Sequence, residues 1–227
     1  MLRITLTVLL CFSFAPKVEA VSVKKLSRHF KRRPVRGLRH RVLVKALRAF
    51  VCARKKRKTK KMILTIIDYS KPSNQKRLWV LDLRRKKVLF AEWAAHGSKT
   101  GMKWATKFSN RNRSRQTSLG VFLTANTYRG KHGYSLRLIG LERGFNHRAM
   151  SRAIVMHGAW YMNPTFIRKH KRAGRSWGCP AVRKSVSRKI IRRIRNGTII
   201  FAYSDGRRKP NRYTKRWLKR SRYLHCR

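Results

Sequence analysis

Apolar residues recur along this chain in short runs broken by turn signals. Met62–Ile67, Leu78–Leu83, Val88–Ala95, Gly120–Ala125, Ser135–Ile139, Ala153–His157 and Thr198–Tyr203 are rich in β-branched, aliphatic and aromatic residues, which fit a pleated, half-buried surface. Lys71-Pro72-Ser73-Asn74 and Arg129-Gly130-Lys131-His132-Gly133 read as turns between them. Two segments inside this region predict helices. One opens at Asn163-Pro164, a cap followed by proline at the first helical position. The other follows Ser185, with Val186, Ile190 and Ile194 on one face and Gly197 as a stop. Upstream, Val42, Leu43, Ala46, Leu47, Phe50 and Val51 recur at helical spacing. The pattern predicts a mainly β domain with a few helices and a basic, helical N-terminal extension, not an alternating βαβ fold. There is no internal repeat.

The N-terminus reads as an export signal. Arg3 precedes the short apolar run Ile4–Ala15, and Val18-Glu19-Ala20 supplies small residues for cleavage after Ala20. The run is too short to span a bilayer as a helix. Cys11 would suit a lipid anchor, but Leu10 before it is large, so plain secretion is preferred over an anchored or uncleaved N-terminus. The predicted organisation is therefore a signal peptide over 1–20, a basic, partly helical extension over 21–61, a mainly β domain over 62–205 and a basic tail over 206–227. The charge run Arg54–Lys61 serves as a connector. Tyr213, Trp217 and Tyr223 are interleaved with the tail's cations and predict packing or disorder there.

Composition changes the picture in two ways. Hydrophobic residues at 42% argue against a disordered chain despite 61 Lys and Arg against 6 Asp and Glu, a formal net charge of +55. Acidic residues are absent from Val21 to Ile67 and after Asp205. Such a surface repels itself unless anions surround it, so anionic envelope polymers, anionic lipid and nucleic acid are all candidate partners. An exported chain disfavours nucleic acid as the normal one. Cleavage after Ala20 would leave Cys52, Cys179 and Cys226, an odd number and hence one free thiol. Cys52 and Cys226 can pair, which would leave Cys179 free, but the sequence does not determine this.

Candidate chemistry lies in two places. Ile154-Val155-Met156-His157-Gly158 reads as a buried strand ending in His and Gly. Gly174-Arg175-Ser176-Trp177-Gly178-Cys179-Pro180-Ala181-Val182-Arg183 surrounds a cysteine with small residues, which lets a substrate backbone approach. A nucleophilic thiol needs a base, and a histidine from another element commonly supplies it. The spacing of His157 and Cys179 is compatible with that plan and equally with a structural cysteine.

These residues also resemble a family. His157-Gly158 followed by Ser176-Trp177-Gly178-Cys179 is similar to the signature of YkuD-type L,D-transpeptidases, and closer to their murein L,D-transpeptidase catalytic domain branch. The resemblance continues through Ile67–Ser73, Lys76–Leu83, Ala95-His96-Gly97, Phe108-Ser109-Asn110, Ser118-Leu119-Gly120, Gly130–Gly133 and Ser151–Met156, covering about Val42 to Tyr203. It implies an L,D-transpeptidase-like β-sandwich or barrel and acyl transfer on peptidoglycan stem peptides in the periplasm or cell envelope. By carry-over, Cys179 attacks the carbonyl joining an L-centred diamino acid to a terminal D-alanine, His157 moves the proton, and the Gly158 carbonyl orients the imidazole. Backbone N–H groups around Gly178 and Cys179 would bind the oxyanion. Ser176, Trp177, Gly178, Arg183 and Tyr161 are expected along the substrate groove, with Asn163 near it. Arg183 is expected to fork a stem carboxylate. Trp177 stands where the wider family has histidine, so any role of that histidine is lost here. His96 and His132 sit at turns and read as structural.

No cofactor or metal is expected, since amide is exchanged for amide and His157, His170 and Cys179 lack the close-spaced pairs of zinc sites. No transmembrane segment is expected after signal cleavage, and the chain is expected to be a monomer. The alternatives are an L,D-carboxypeptidase using the same site with water as acceptor, and a non-enzymatic basic envelope or nucleic-acid-binding protein.

Overall fold

The structure, a computed structural model, describes residues 21–226; the predicted signal peptide lies outside them. Helix α1 (Val23–Arg32) starts at Ser22, whose side chain accepts from the Lys25 N–H. Helix α2 (His40–Lys55) carries the predicted apolar face. Strands β1 (Ile63–Asp68), β2 (Leu78–Asp82) and β3 (Lys87–Glu92) follow, then the long hairpin β4 (Gly120–Gly130) and β5 (Gly133–Gly140). The two-residue strands β6 (Val155–Met156) and β7 (Gly158–Ala159) lead to α3 (Pro164–His170). Strand β8 (Val182–Arg183), helix α4 (Lys184–Ile194), strand β9 (Ile199–Tyr203) and helix α5 (Arg212–Arg220) complete the chain.

Seven strands form one mixed sheet in the order β3-β2-β1-β9-β4-β5-β6. Each of the seven apolar runs read from the sequence supplies one of them. β1 and β9 run parallel, with Leu64 opposite Ile199, and the other pairings are antiparallel. β1, β2 and β9 are buried along their whole length. That is why they read as continuous apolar runs and not as alternation.

The extension over 21–61 does not pack as a separate piece. Leu43, Leu47 and Phe50 of α2 are buried in the same core as β1 and β9. Each such side chain stabilises the fold by about 1.5–3 kcal/mol. At the start of α2, Arg39 forks onto Asp68 with Nε and Nη2 and reaches Asp205 with Nη1 at 2.8 Å. The basic tail also packs. Trp217 of α5 is fully buried, Ser221 Oγ donates to Glu142, and Cys226 forms a disulfide with Cys52 across 174 positions of chain. No described helix is long and apolar enough to cross a membrane.

The edge strand β6 is shorter than the predicted run Ala153–His157. Ala153 sits at φ +50, the left-handed region, so the strand begins only after it. Conversely, β4 runs past Ala125 through a bulge between Thr124 and Thr127. Its outer half projects beyond the sheet, where no partner layer imposes an apolar pattern.

Candidate active site

The segments bearing His157 and Cys179 are stitched together by backbone. β7 and β8 pair in parallel, Gly158 with Val182 and Ala159 with Arg183, and the Val182 N–H donates to the His157 carbonyl at 3.0 Å. A two-residue strand has no period to read, so this small sheet had no sequence signal. Gly158 is needed there, since a Cβ would lie 2.5 Å from Ser187 Oγ.

The cysteine loop is clamped from within. Ser176 Oγ donates to the Cys179 carbonyl at 2.7 Å and accepts the Gly178 N–H at 3.1 Å. Ser176 also bridges to Gly97, its N–H donating to the His96 carbonyl. Gly178 adopts φ +129, and a Cβ on it would meet the Gln116 carbonyl at 2.9 Å. Ser176 thus holds the loop, and the Gly178 N–H expected to bind an oxyanion is already spent on it. Of the two expected donors, the Cys179 N–H is the one left without a backbone or side-chain oxygen among the hydrogen bonds of the described residues.

Cys179 is the free cysteine of the described chain. Its Sγ accepts from the Val155 N–H at 3.4 Å and faces the Ala153 carbonyl at 3.6 Å. Burial pushes the thiol pKa up, and the Val155 N–H and the nearby Arg152 charge oppose that rise. His157 Nδ1 lies 3.1 Å from the Gly158 carbonyl. A carbonyl can only accept, so Nδ1 carries the proton and Nε2 presents a free lone pair. Burial holds the imidazole pKa below its usual value, and proximity to His132 adds to this. Thiol and imidazole are therefore both neutral at rest, the pair that general-base activation requires.

His132 was read as a structural turn residue. At the tip of the β4–β5 hairpin it stacks on His157, with centroids 4.4 Å apart and planes at 22°. Only the turn sequence hinted at it, since a hairpin's reach is not written in its residues. The next residue back, Lys131, lies over the Trp177 ring with Arg115, at 5.8 and 4.6 Å. Trp177 is 68% exposed. His96 is buried against Arg77 and the Gly101 carbonyl, and burial brings its pKa down to about 3, so it stays neutral and structural.

Residues expected along the substrate groove have partners within the protein. The fork of Arg183 is closed by Glu92 of β3, with Nε donating to Oε2 at 2.8 Å and Nη2 to Oε1. A stem carboxylate at this fork would have to displace a carboxylate already in place. Tyr161 is half-buried and wedges the loop, since a Cβ on Gly174 would lie 2.4 Å from it. Asn163 caps α3 by accepting from the Thr165 N–H. A cleft of about 1000 Å³ opens behind the loop containing Ser114 and Gln116 and is lined by Arg111, Arg148 and Arg216. Cys179 does not line it. Among the described residues no three His, Cys, Asp or Glu side chains converge as metal ligands.

Comparison with solved structures finds several partial likenesses. An L,D-transpeptidase from Mycobacterium smegmatis matches with 14% identity and a TM-score of 0.39, over 63% of this chain and 58% of that one. L,D-transpeptidase 1 from Mycobacterium tuberculosis matches at 13% identity and TM-score 0.35, over 63% and 61%. An L,D-transpeptidase from Stackebrandtia nassauensis matches at 16% identity and TM-score 0.37, over 81% and 78%. The chain thus spans less than two thirds of the length of the mycobacterial structures. No curated protein matches the sequence. The family model for the L,D-transpeptidase catalytic domain, however, matches residues 35–203. That match runs through every strand of the sheet and both halves of the His157–Cys179 centre, and the chain belongs to the L,D-transpeptidase catalytic domain family.

Proposed function

We propose that this chain is an exported L,D-transpeptidase that works on peptidoglycan stem peptides through a thioester on Cys179. The observation that carries the reading is that a free thiol and a neutral histidine, whose Nδ1–H is tied to Gly158, sit on two segments locked together by the β7–β8 pairing. His157 Nε2 takes the thiol proton as Sγ attacks the carbonyl carbon between the L-centre of the diamino acid and the terminal D-alanine. The Cys179 N–H faces the developing oxyanion. Collapse breaks the C–N bond, the imidazolium protonates the departing D-alanine amine, and the acyl group remains on sulfur. An amine from a second stem then gives its proton to His157, attacks the thioester and restores the thiol.

The basic surface supports a place in the envelope. The described carboxylates Asp68, Asp82, Glu92 and Asp205 are engaged in internal ion pairs, and Glu142 is buried on Ser221 and Val121. The exposed cations that remain can face anionic wall polymers or lipid phosphate.

Incubation with tetrapeptide muropeptides tests the proposal. The expected products are free D-alanine and a cross-linked dimer, both lost in Cys179→Ala. Tripeptide without dimer would assign water as the acceptor and make the chain an L,D-carboxypeptidase. Identical products from wild type and Cys179→Ala would end the enzymatic reading.

A further inference from the structure

Arg152 lies in the turn that leads into β6, and its side chain runs inward. Nη1 donates to the Ser109 carbonyl at 3.0 Å and to Ser118 Oγ at 2.6 Å. Nη2 donates to Ser114 Oγ at 3.2 Å and to the Gln116 carbonyl at 2.5 Å. All four acceptors are neutral. Each described carboxylate is engaged elsewhere, and none forms an ion pair with Arg152. A guanidinium does not shed its proton, and a largely enclosed cation without a counter-ion costs several kcal/mol of desolvation. Such a group needs a reason, and its surroundings supply one.

Arg152 Nη2 lies 3.4 Å from where a Cβ on Gly178 would be, directly under the turn into Cys179. The residue after Arg152 is Ala153, whose carbonyl faces Sγ at 3.6 Å, and two residues further on the Val155 N–H points at the same sulfur. The segment 152–155 therefore wraps the thiol with a fixed cation at its start. We infer that Arg152 is a positioning residue whose charge, anchored beneath the Gly178–Cys179 turn, stabilises the Cys179 thiolate. This rests on the reading of Cys179 as the nucleophile. Proton transfer from Sγ to His157 then creates its anion beside a cation already in place, without reorganisation.

The other groups around the sulfur do not supply that charge. Burial pushes the Tyr69 phenol far up and that of Tyr161 up to about 12, so both stay neutral. Burial keeps His157 neutral, and the exposed His132 stacks on its ring. Arg115 and Lys131 are exposed and spread over the Trp177 ring, where solvent screens them.

The test is the pH dependence of iodoacetamide alkylation of Cys179, followed by intact mass with the disulfide in place. It reads thiolate directly and needs no muropeptide, so absence of turnover and failure of this inference are separate results. In Arg152→Gln the inflection should move up by about one pH unit, the low end for loss of an opposite charge at close range. Arg152→Lys should stay within about a few tenths of wild type. The same shift should appear in a His157→Ala background. A profile for Arg152→Gln that superimposes on wild type, or equal shifts in Gln and Lys, would overturn the inference. Melting curves report whether the variants fold. If Arg152→Gln does not, Ser118→Ala carries the test by freeing one anchor of the guanidinium. It should show a smaller upward shift, and an unchanged profile there refutes the role.

Discussion

Breaking the Cys52–Cys226 disulfide should lower stability substantially while leaving the active site working. The bridge closes a loop with a sequence separation of 174. Chain-entropy reasoning gives about 5 kcal/mol for a loop of this length, and measured losses usually fall nearer 2–4 kcal/mol. In a domain of this size 1 kcal/mol shifts Tm by about 2–4 °C, so the double variant Cys52→Ser, Cys226→Ser should melt roughly 10 °C below wild type. The ends stay docked without the bridge. Trp217 is fully buried, Tyr213 OH donates to the Phe145 carbonyl at 2.6 Å, and Tyr223 is buried. Muropeptide turnover at 25 °C should therefore persist. The assay is a thermal melt with thiol counting. In a chain beginning at Val21, one thiol should react when folded and oxidised, and three after reduction and unfolding. A double variant melting within about 2 °C of wild type would refute the loop-closure reasoning.

The pH profile follows from the directions of the shifts. His157 must be neutral to take a proton, and its folded pKa lies below the usual value. The acid limb of kcat/KM should therefore fall below pH ~6.5, and a midpoint above that would contradict a buried base. His132→Ala removes a like charge and some cover, and should move that limb upward. At the Arg183–Glu92 fork, Arg183→Ala strands a nearly buried carboxylate and should cost about 1.5–3 kcal/mol in thermal or denaturant unfolding with KM for muropeptide unchanged. A raised KM at unchanged stability would return Arg183 to the substrate.

Much of the fold was legible because β1, β2 and β9 are buried on both faces and so read as β-branched and aromatic runs. Thr198–Tyr203 and Leu78–Leu83 land within a residue of β9 and β2. Helix α3 began where Asn163-Pro164 placed it, since a cap and a pre-set φ act locally. Helix α1 was not anticipated. Leu26 and Phe30 are its buried residues, set among cations. The charge run Arg54–Lys61 begins at the end of a helix whose Leu43, Leu47 and Phe50 join the core of β1 and β9, a contact that a local charge pattern does not report. At the site, the two segments that meet were identified by motif, but what each side chain touches was not. Ser176 turned out to clamp its own loop, and Arg183 found Glu92, ninety-one positions earlier in the chain. His132 reached His157 through a hairpin whose length the polar residues Asn126 and Thr127 concealed. Contacts of this kind are set by tertiary geometry, which no local pattern encodes.

Acyl-enzyme trapping tests the central claim most directly. Wild type, His157→Ala and Cys179→Ala would each be mixed briefly with tetrapeptide muropeptide, quenched in acid and weighed intact. The predicted result is a wild-type adduct equal to the muropeptide minus D-alanine, located on the peptide containing Cys179 and released by hydroxylamine. It should be much reduced in His157→Ala and absent in Cys179→Ala. An adduct that persists in Cys179→Ala, or turnover in wild type with the Cys179 thiol blocked beforehand, would contradict the account.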